Sequence, residues 1–163
     1  MNETSTTGVH PEAQVGATHL DVGACWALLR RTSVGRLAVV VEGRAEIFPV
    51  NYVVDHGTVV FRTSPGTKLA AVIDGGPVTF EIDGLDRDSN EAWSVVLTGR
   101  AEEVRDLEAL IDVTDLPLRP WSGSPKHRFV RVVPGGVTGR RFAVADPSIW
   151  DSPYTLRRQS PWE

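Results

Sequence analysis

The segment with the most chemical potential is Arg62-Thr63-Ser64-Pro65-Gly66-Thr67-Lys68. A strand that ends in hydroxyl residues, turns on Pro-Gly and enters a helix presents backbone N–H groups, hydroxyl donors and one ammonium to one small volume. Those donors suit a phosphate. A phosphate monoester carries about −1.5 to −2 charges near neutral pH, so one lysine is rarely enough and an arginine fork is the expected complement. Arg36, between Gly35 and the apolar run Leu37 to Val41, is the candidate; a charged side chain buried in such a run is costly unless it finds a partner. The same heptapeptide is also an ordinary helix-capping turn, and Arg36 an ordinary outward-facing strand residue, so the residues alone leave both readings open.

Other chemistries find little support. The chain has one cysteine, Cys25, which excludes an intrachain disulfide and a cysteine-based metal cluster, and its apolar helical setting reads as an inert core thiol. Of the four histidines, His10 and His19 lie in or beside a polar leader, His56 is in a turn and His127 opens a late strand, so metal or haem ligation has no constellation to rest on. A net charge of −4 argues against a whole-surface attraction to nucleic acid. No apolar stretch approaches the roughly 20 residues that span a bilayer, and the N-terminus lacks a basic segment followed by an apolar run. The expectation is a cytoplasmic protein with no membrane or nucleic-acid partner.

The elements that must position these groups are mostly strands. With 163 residues, 41% of them hydrophobic, the chain is sized for one core. Residues 1–18 lack periodicity and read as a disordered leader. Asp21 to Arg31 has helical spacing, with Asp21 as N-cap and two arginines at the C-terminal end. The period then changes: Val34 to Val41, Ala45 to Val54 and Thr58 to Thr63 are β-branched runs separated by Glu42-Gly43-Arg44 and Asp55-His56-Gly57, predicting a three-stranded antiparallel meander. Pro49 inside the second run marks a bulge or an edge. Thr67 to Ile73 is helical in pattern. Val78 to Ile82 and Ala92 to Val104 read as strands joined by a polar segment, Asp83 to Glu91. A short helix over Asp106 to Val113 and a Pro- and Trp-containing loop precede a final strand or hairpin, Phe129 to Val133 with Val137 to Phe142. The pattern predicts a mostly β domain over residues 19–145, a closed or nearly closed antiparallel barrel, with a C-terminal tail at 146–163.

Five short motifs in one order carry a family likeness: Cys25-Trp26-x-Leu28-Leu29, Val34-Gly35-Arg36-Leu37-Ala38, Phe48-Pro49-Val50-Asn51-Tyr52, Phe61-Arg62-Thr63-x-x-Gly66-Thr67-Lys68 and Ala92-Trp93-Ser94-Val95. From about Leu20 to Phe142 the chain resembles the pyridoxamine 5'-phosphate oxidase-like flavin-binding proteins, in a short branch that also resembles the nitroimidazole-resistance proteins. The resemblance implies a split β-barrel homodimer binding two flavin mononucleotides (FMN) in clefts shared by both subunits. It implies that Arg36 and Lys68 hold the phosphate with Ser64 and Thr67 as donors, and that Val50, Asn51, Arg62 and Thr63 line the isoalloxazine ring. It further implies that Trp93 and Ser94 approach the flavin, from the same subunit or the second one. Trp93 reads equally well as core packing. A flat ring needs a preformed apolar cleft with a few directed polar groups, and Arg62 would stabilise charge developing near N1.

The chain departs from the oxidase itself in being shorter and in lacking its C-terminal substrate motif beyond Gly139-Arg140-Arg141-Phe142. Pyridoxamine phosphate is therefore not the expected substrate. The reading favoured is an FMN-dependent oxidoreductase acting on a small organic or nitroaromatic molecule. A reductase using the deazaflavin F420 and a non-catalytic flavin-binding or sensor module are the alternatives.

Overall fold

The computed structural model describes residues 16–64, 76–118 and 127–144. The predicted helix over Thr67 to Ile73, most of the leader and the tail lie outside these residues.

The first helix forms where its spacing places it. In α1 (Val22–Arg31) the Asp21 side chain accepts a hydrogen bond from the Ala24 amide at 2.7 Å, and Arg30 and Arg31 occupy the last turn, where the helix dipole favours cations. Cys25, Leu28 and Leu29 form its buried side. Burial, and secondarily the nearby Asp21 charge, raises the Cys25 thiol pKa, as expected of an inert core group.

Among the described residues there are seven strands, β1 (Ala17–Leu20), β2 (Val34–Val41), β3 (Arg44–Asp55), β4 (Thr58–Thr63), β5 (Pro77–Asp86), β6 (Glu91–Glu103) and β7 (Arg128–Ala143), and all but β1 follow the predicted runs. They hydrogen-bond in the order β1-β7-β4-β3-β2-β5-β6, and β6 returns to β7, closing a six-stranded antiparallel barrel. Closure removes the exposed edges that an open sheet would present. The second helix, α2 (Leu107–Thr114), lies where helical spacing predicts it.

Three details differ from the sequence expectation. Ala17 and Thr18, placed in the leader, pair with Phe142 and Arg141 as the start of β1. Four residues are too few for a period to show. The Asp83 to Glu91 segment extends the β5–β6 hairpin, with Asp86 opposite Glu91 and a turn completed by Asn90 at φ 54°; its acidic side chains mask a ladder made by the backbone. The final strand is one continuous β7 despite Pro134-Gly135-Gly136. Its first part pairs with β4 and its last part with β1 along one edge, while β6 follows the other edge with a register shift at Thr98/Gly99. Pro49 lies where β3 has left β4 and pairs only with β2, the edge role its missing N–H requires.

The barrel is filled by alternate residues, Leu37 and Val39, Val50 and Tyr52, Val59 and Phe61, Phe80 and Ile82, Val95 and Leu97, Val130 and Val132, with α1 capping one end. Gly35 is required by this packing, because a Cβ there would lie 2.2 Å from Phe80 Cζ. No helix among the described residues is long and apolar enough to cross a membrane.

Candidate functional site: the end of the β3–β4 ladder

The β3–β4 ladder runs from Asp55 opposite Thr58 to Tyr52 opposite Phe61, and ends there. Beyond it lie Val50 and Asn51 on one strand and Arg62, Thr63 and Ser64 on the other. The Tyr52 amide turns to the Ser33 carbonyl at 3.0 Å, tying the end of this ladder to the start of β2. Five of the predicted site residues are therefore brought to one stretch of barrel wall. Val50 and Thr63 are buried at 8% and 5% exposure, whereas Asn51, Arg62 and Ser64 are half-buried. Asn51, Thr63 and Ser64 already have polar or electrostatic partners within the chain.

Arg62 is the least settled group of the five. Opposite it in the ladder stands Phe129 of β7, and the guanidinium carbon lies 4.9 Å from that ring's centre. This cation–π contact fixes the side chain without using its N–H donors. Its Nε is buried with no hydrogen-bond partner, a state that costs free energy unless an acceptor is supplied. Donors of this type beside two hydroxyl residues fit the phosphate or the electron-rich edge of a nucleotide cofactor. Sequence reasoning missed Phe129, because its pairing with Arg62 depends on the register between residues 67 apart in number, which no local pattern encodes.

Arg36 is placed differently. From β2 its Nη1 donates to Glu81 Oε2 at 2.9 Å and to Asp83 Oδ1 at 2.6 Å, both on β5, the neighbour on the opposite edge from β3. The bond to Asp83, then that to Glu81, raise the guanidinium pKa further above its ordinary value. The partner that a charge in this apolar strand requires is a pair of carboxylates. A phosphate at the β3–β4 end would have to compete with both for Arg36. Thr67 and Lys68 lie outside the described residues.

Trp93 and Ser94 are on β6, which borders β5 and β7 and touches neither β3 nor β4 in the ladder order. Within one chain they stand apart from the five residues gathered at the β3–β4 end. Trp93 packs on the barrel core from its rim, its ring lying over Gly84, where a Cβ would come within 2.4 Å of Cζ2. Among the described residues no group of three or more His, Cys, Asp or Glu side chains is arranged to hold a metal ion.

The pyridoxamine 5'-phosphate oxidase family profile matches residues 21–141. An uncharacterized protein of Mycobacterium tuberculosis is 34% identical over 141 residues, covering 83% of this chain and 91% of its own. Among solved structures, an FAD-binding protein from Mycobacterium smegmatis is 38% identical, with a TM-score of 0.69 over 78% of this chain and 99% of that one. An FAD-binding protein from Mesorhizobium loti is 26% identical, with a TM-score of 0.63 over 78% of this chain and 98% of that one.

Proposed function

From the fact that this chain belongs to the pyridoxamine 5'-phosphate oxidase family, we propose that it binds a flavin nucleotide at the end of the β3–β4 ladder and serves as an oxidoreductase for a small organic molecule. The observation that carries the reading is the likeness to the M. smegmatis FAD-binding protein, 38% identical over 99% of that chain. The residues present fit such a group at the strand end: Arg62 offers a buried donor without an acceptor on the outer face of the sheet, where Asn51 and Ser64 alternate to the same side, while the buried Val50 and Thr63 face the barrel interior and would meet the cofactor through backbone groups. When bound, the flavin would accept and pass on hydride or electrons. This chain's residues would bind and orient it, exclude water from the ring, and place positive charge beside it through Arg62. Lys68 and Thr67 complete the phosphate side of this proposal.

FMN is the form a single phosphate-binding turn suits. FAD is a second reading, favoured by the two FAD-binding proteins similar to this chain; both share the ring, ribityl chain and first phosphate. The chain is also proposed to act as a homodimer, since Val40 and Ile47 stand 67% and 65% exposed on one barrel wall and Trp93 and Ser94 would meet a flavin at the β3–β4 end only across such a contact.

The test is reconstitution of the purified chain with FMN, FAD and F420 in parallel, followed by desalting and absorption spectroscopy. A retained flavin spectrum is expected, and Arg62→Gln should weaken binding by roughly tenfold or more, the loss of one charge-assisted hydrogen bond. Absence of both flavins after desalting, or tighter F420 binding, overturns the reading. Flavin retained without turnover, with NAD(P)H and a panel of nitroaromatic acceptors, makes the protein a binding module rather than an enzyme.

A further inference from the structure

At the rim where α1 meets the β5–β6 hairpin the barrel carries a cleft of about 570 Å³, of a size that takes a small organic ligand. Leu28, Gly84 and Trp93 line its apolar side, and Arg31, Arg87 and Arg141 bring cations to it. Trp93 and Arg141 are directly opposite each other on β6 and β7, so an aromatic plate and a guanidinium stand side by side. Arg141 is poorly satisfied. Its Nε is buried with no hydrogen-bond partner, and its recorded ion pair, to Glu91, is 3.7 Å long, beyond hydrogen-bond reach.

The carboxylates around the cleft do not cancel this demand. Asp83 is taken by Arg36 at 2.6 Å. Asp86 receives the amides of Asp88 and Ser89, and these bonds, the Ser89 amide foremost, lower its pKa, with a smaller contribution from the Arg141 charge, yet it makes no hydrogen bond to the Arg141 Nε. Glu91 reaches Arg141 only loosely, and Asp88 is the remaining acid. Against it stand Arg31 and Arg87, which make no ion pair among the described residues.

We propose that this rim cleft, built on the Trp93–Arg141 cross-strand pair, is a binding site for a small carboxylate with a flat or apolar body. The carboxylate would lie at the Arg141 guanidinium, with Arg31 nearby at the C-terminal end of α1, and the body would rest on Trp93 and Leu28. The site is on the β5–β6–β7 side of this chain's barrel, apart from its own β3–β4 end, and it shares Trp93 with the flavin contact proposed across the dimer.

Benzoate and its neutral isostere benzamide test it on the full-length protein, by calorimetric titration in the presence and absence of saturating FAD. Benzoate should bind saturably and roughly tenfold or more tighter than benzamide, because only it accepts charge-assisted hydrogen bonds. Arg141→Gln should remove that preference, while Arg62→Gln should leave it unchanged and Trp93→Leu should weaken both ligands. If Arg141→Gln fails to fold by circular dichroism, Arg31→Gln is the substitute and should reduce the preference severalfold. Equal affinity for benzoate and benzamide, no saturable benzoate binding, or an Arg141→Gln protein that binds benzoate normally would each overturn the proposal. Loss of flavin binding with benzoate binding intact would overturn only the proposed function.

Discussion

Strands β2 and β4 are near neighbours in the barrel and almost interchangeable on paper, each carrying a Val-Val pair in a β-branched run, yet they meet opposite environments. In β2 every second residue is buried, and Val40 is 67% exposed next to Val39 at 5%. In β4 Val59, Val60 and Phe61 are buried in succession, and Val60 is wholly covered. Alternation marks a wall with one face open, and a continuous run marks a wall covered on both sides. What covers β4 is a second cluster outside the barrel, in which Val60 packs with Val113, Leu118 and Phe129. Nothing among the described residues does the same for Val40 and Ile47. The Arg62 side has its own cover within the chain, whereas among the described residues the β2–β3 face leaves Val40 and Ile47 exposed.

The largest expected effect breaks or confirms this contrast directly. Val60→Asp buries an unpaired carboxylate between two apolar layers and should cost on the order of 4 kcal/mol or prevent folding. Val40→Asp places the same group in water and should change monomer stability by no more than about 0.5 kcal/mol. Urea unfolding at low protein concentration measures both, and sedimentation measures the association state. The open face is an interface if Val40→Asp converts a dimer to a monomer of near-normal stability. If instead it destabilises the monomer as Val60→Asp does, the contrast between the two walls is wrong.

This contrast was also the limit of what the sequence could say. The meander and α1 with its Asp21 cap were legible, because local periodicity, capping chemistry and turn residues each point the same way. The grouping of Val50 and Asn51 with Arg62 to Ser64 was implied by the family resemblance, and the β3–β4 hairpin is what brings the two segments together. Four things were not legible. Which face of β4 would be covered depends on α2 folding back across about 50 residues, and the Arg62–Phe129 contact on a register between distant strands. The direction of Arg36 depends on β5, where pairing sets Glu81, inside the predicted strand, opposite it and brings Asp83, at the start of the predicted polar segment, within hydrogen-bond reach. The rim cleft needed the closure of β6 on β7, since Trp93 and Arg141 are opposite only in the closed barrel.

An intermediate effect is expected at Tyr52, where the two walls meet. Its hydroxyl donates to the Leu29 carbonyl at 2.8 Å and shares a hydrogen bond with the Thr32 hydroxyl, linking β3 to the end of α1. Tyr52→Phe should cost roughly 1–2 kcal/mol, since it leaves a buried carbonyl short of a donor. Burial pushes the Tyr52 pKa from 10.0 up to about 12. The unfolded chain therefore loses this proton first as pH rises. The neutral hydroxyl's contribution is complete below pH 10 and disappears between pH 10 and about 12. Unfolding free energy measured across that range should fall more steeply for the wild type than for Tyr52→Phe. Parallel curves would mean that the hydroxyl reaches water, and that α1 does not seal this end of the barrel.

The smallest effect on stability, and the sharpest on the proposed site, is expected at Arg36. Its guanidinium side chain is 53% exposed, so its bonds to Glu81 and Asp83 are screened by water and salt, and Arg36→Gln should change stability by less than about 1 kcal/mol, less still at high ionic strength. Flavin affinity separates two roles for the same residue. If Arg36 leaves its carboxylates to hold the phosphate, Arg36→Gln weakens FMN binding by roughly tenfold or more, comparably to Arg62→Gln. If it stays with β5, affinity is almost unchanged, while the Glu81→Gln, Asp83→Asn double variant frees the arginine and tightens FMN binding. The present geometry favours the second outcome, because an arginine bridging two carboxylates must break two charge-assisted hydrogen bonds before it can make new ones. A large loss of affinity in Arg36→Gln, with the double variant showing no gain, would mean instead that cofactor binding redirects this side chain from the open wall toward the covered one.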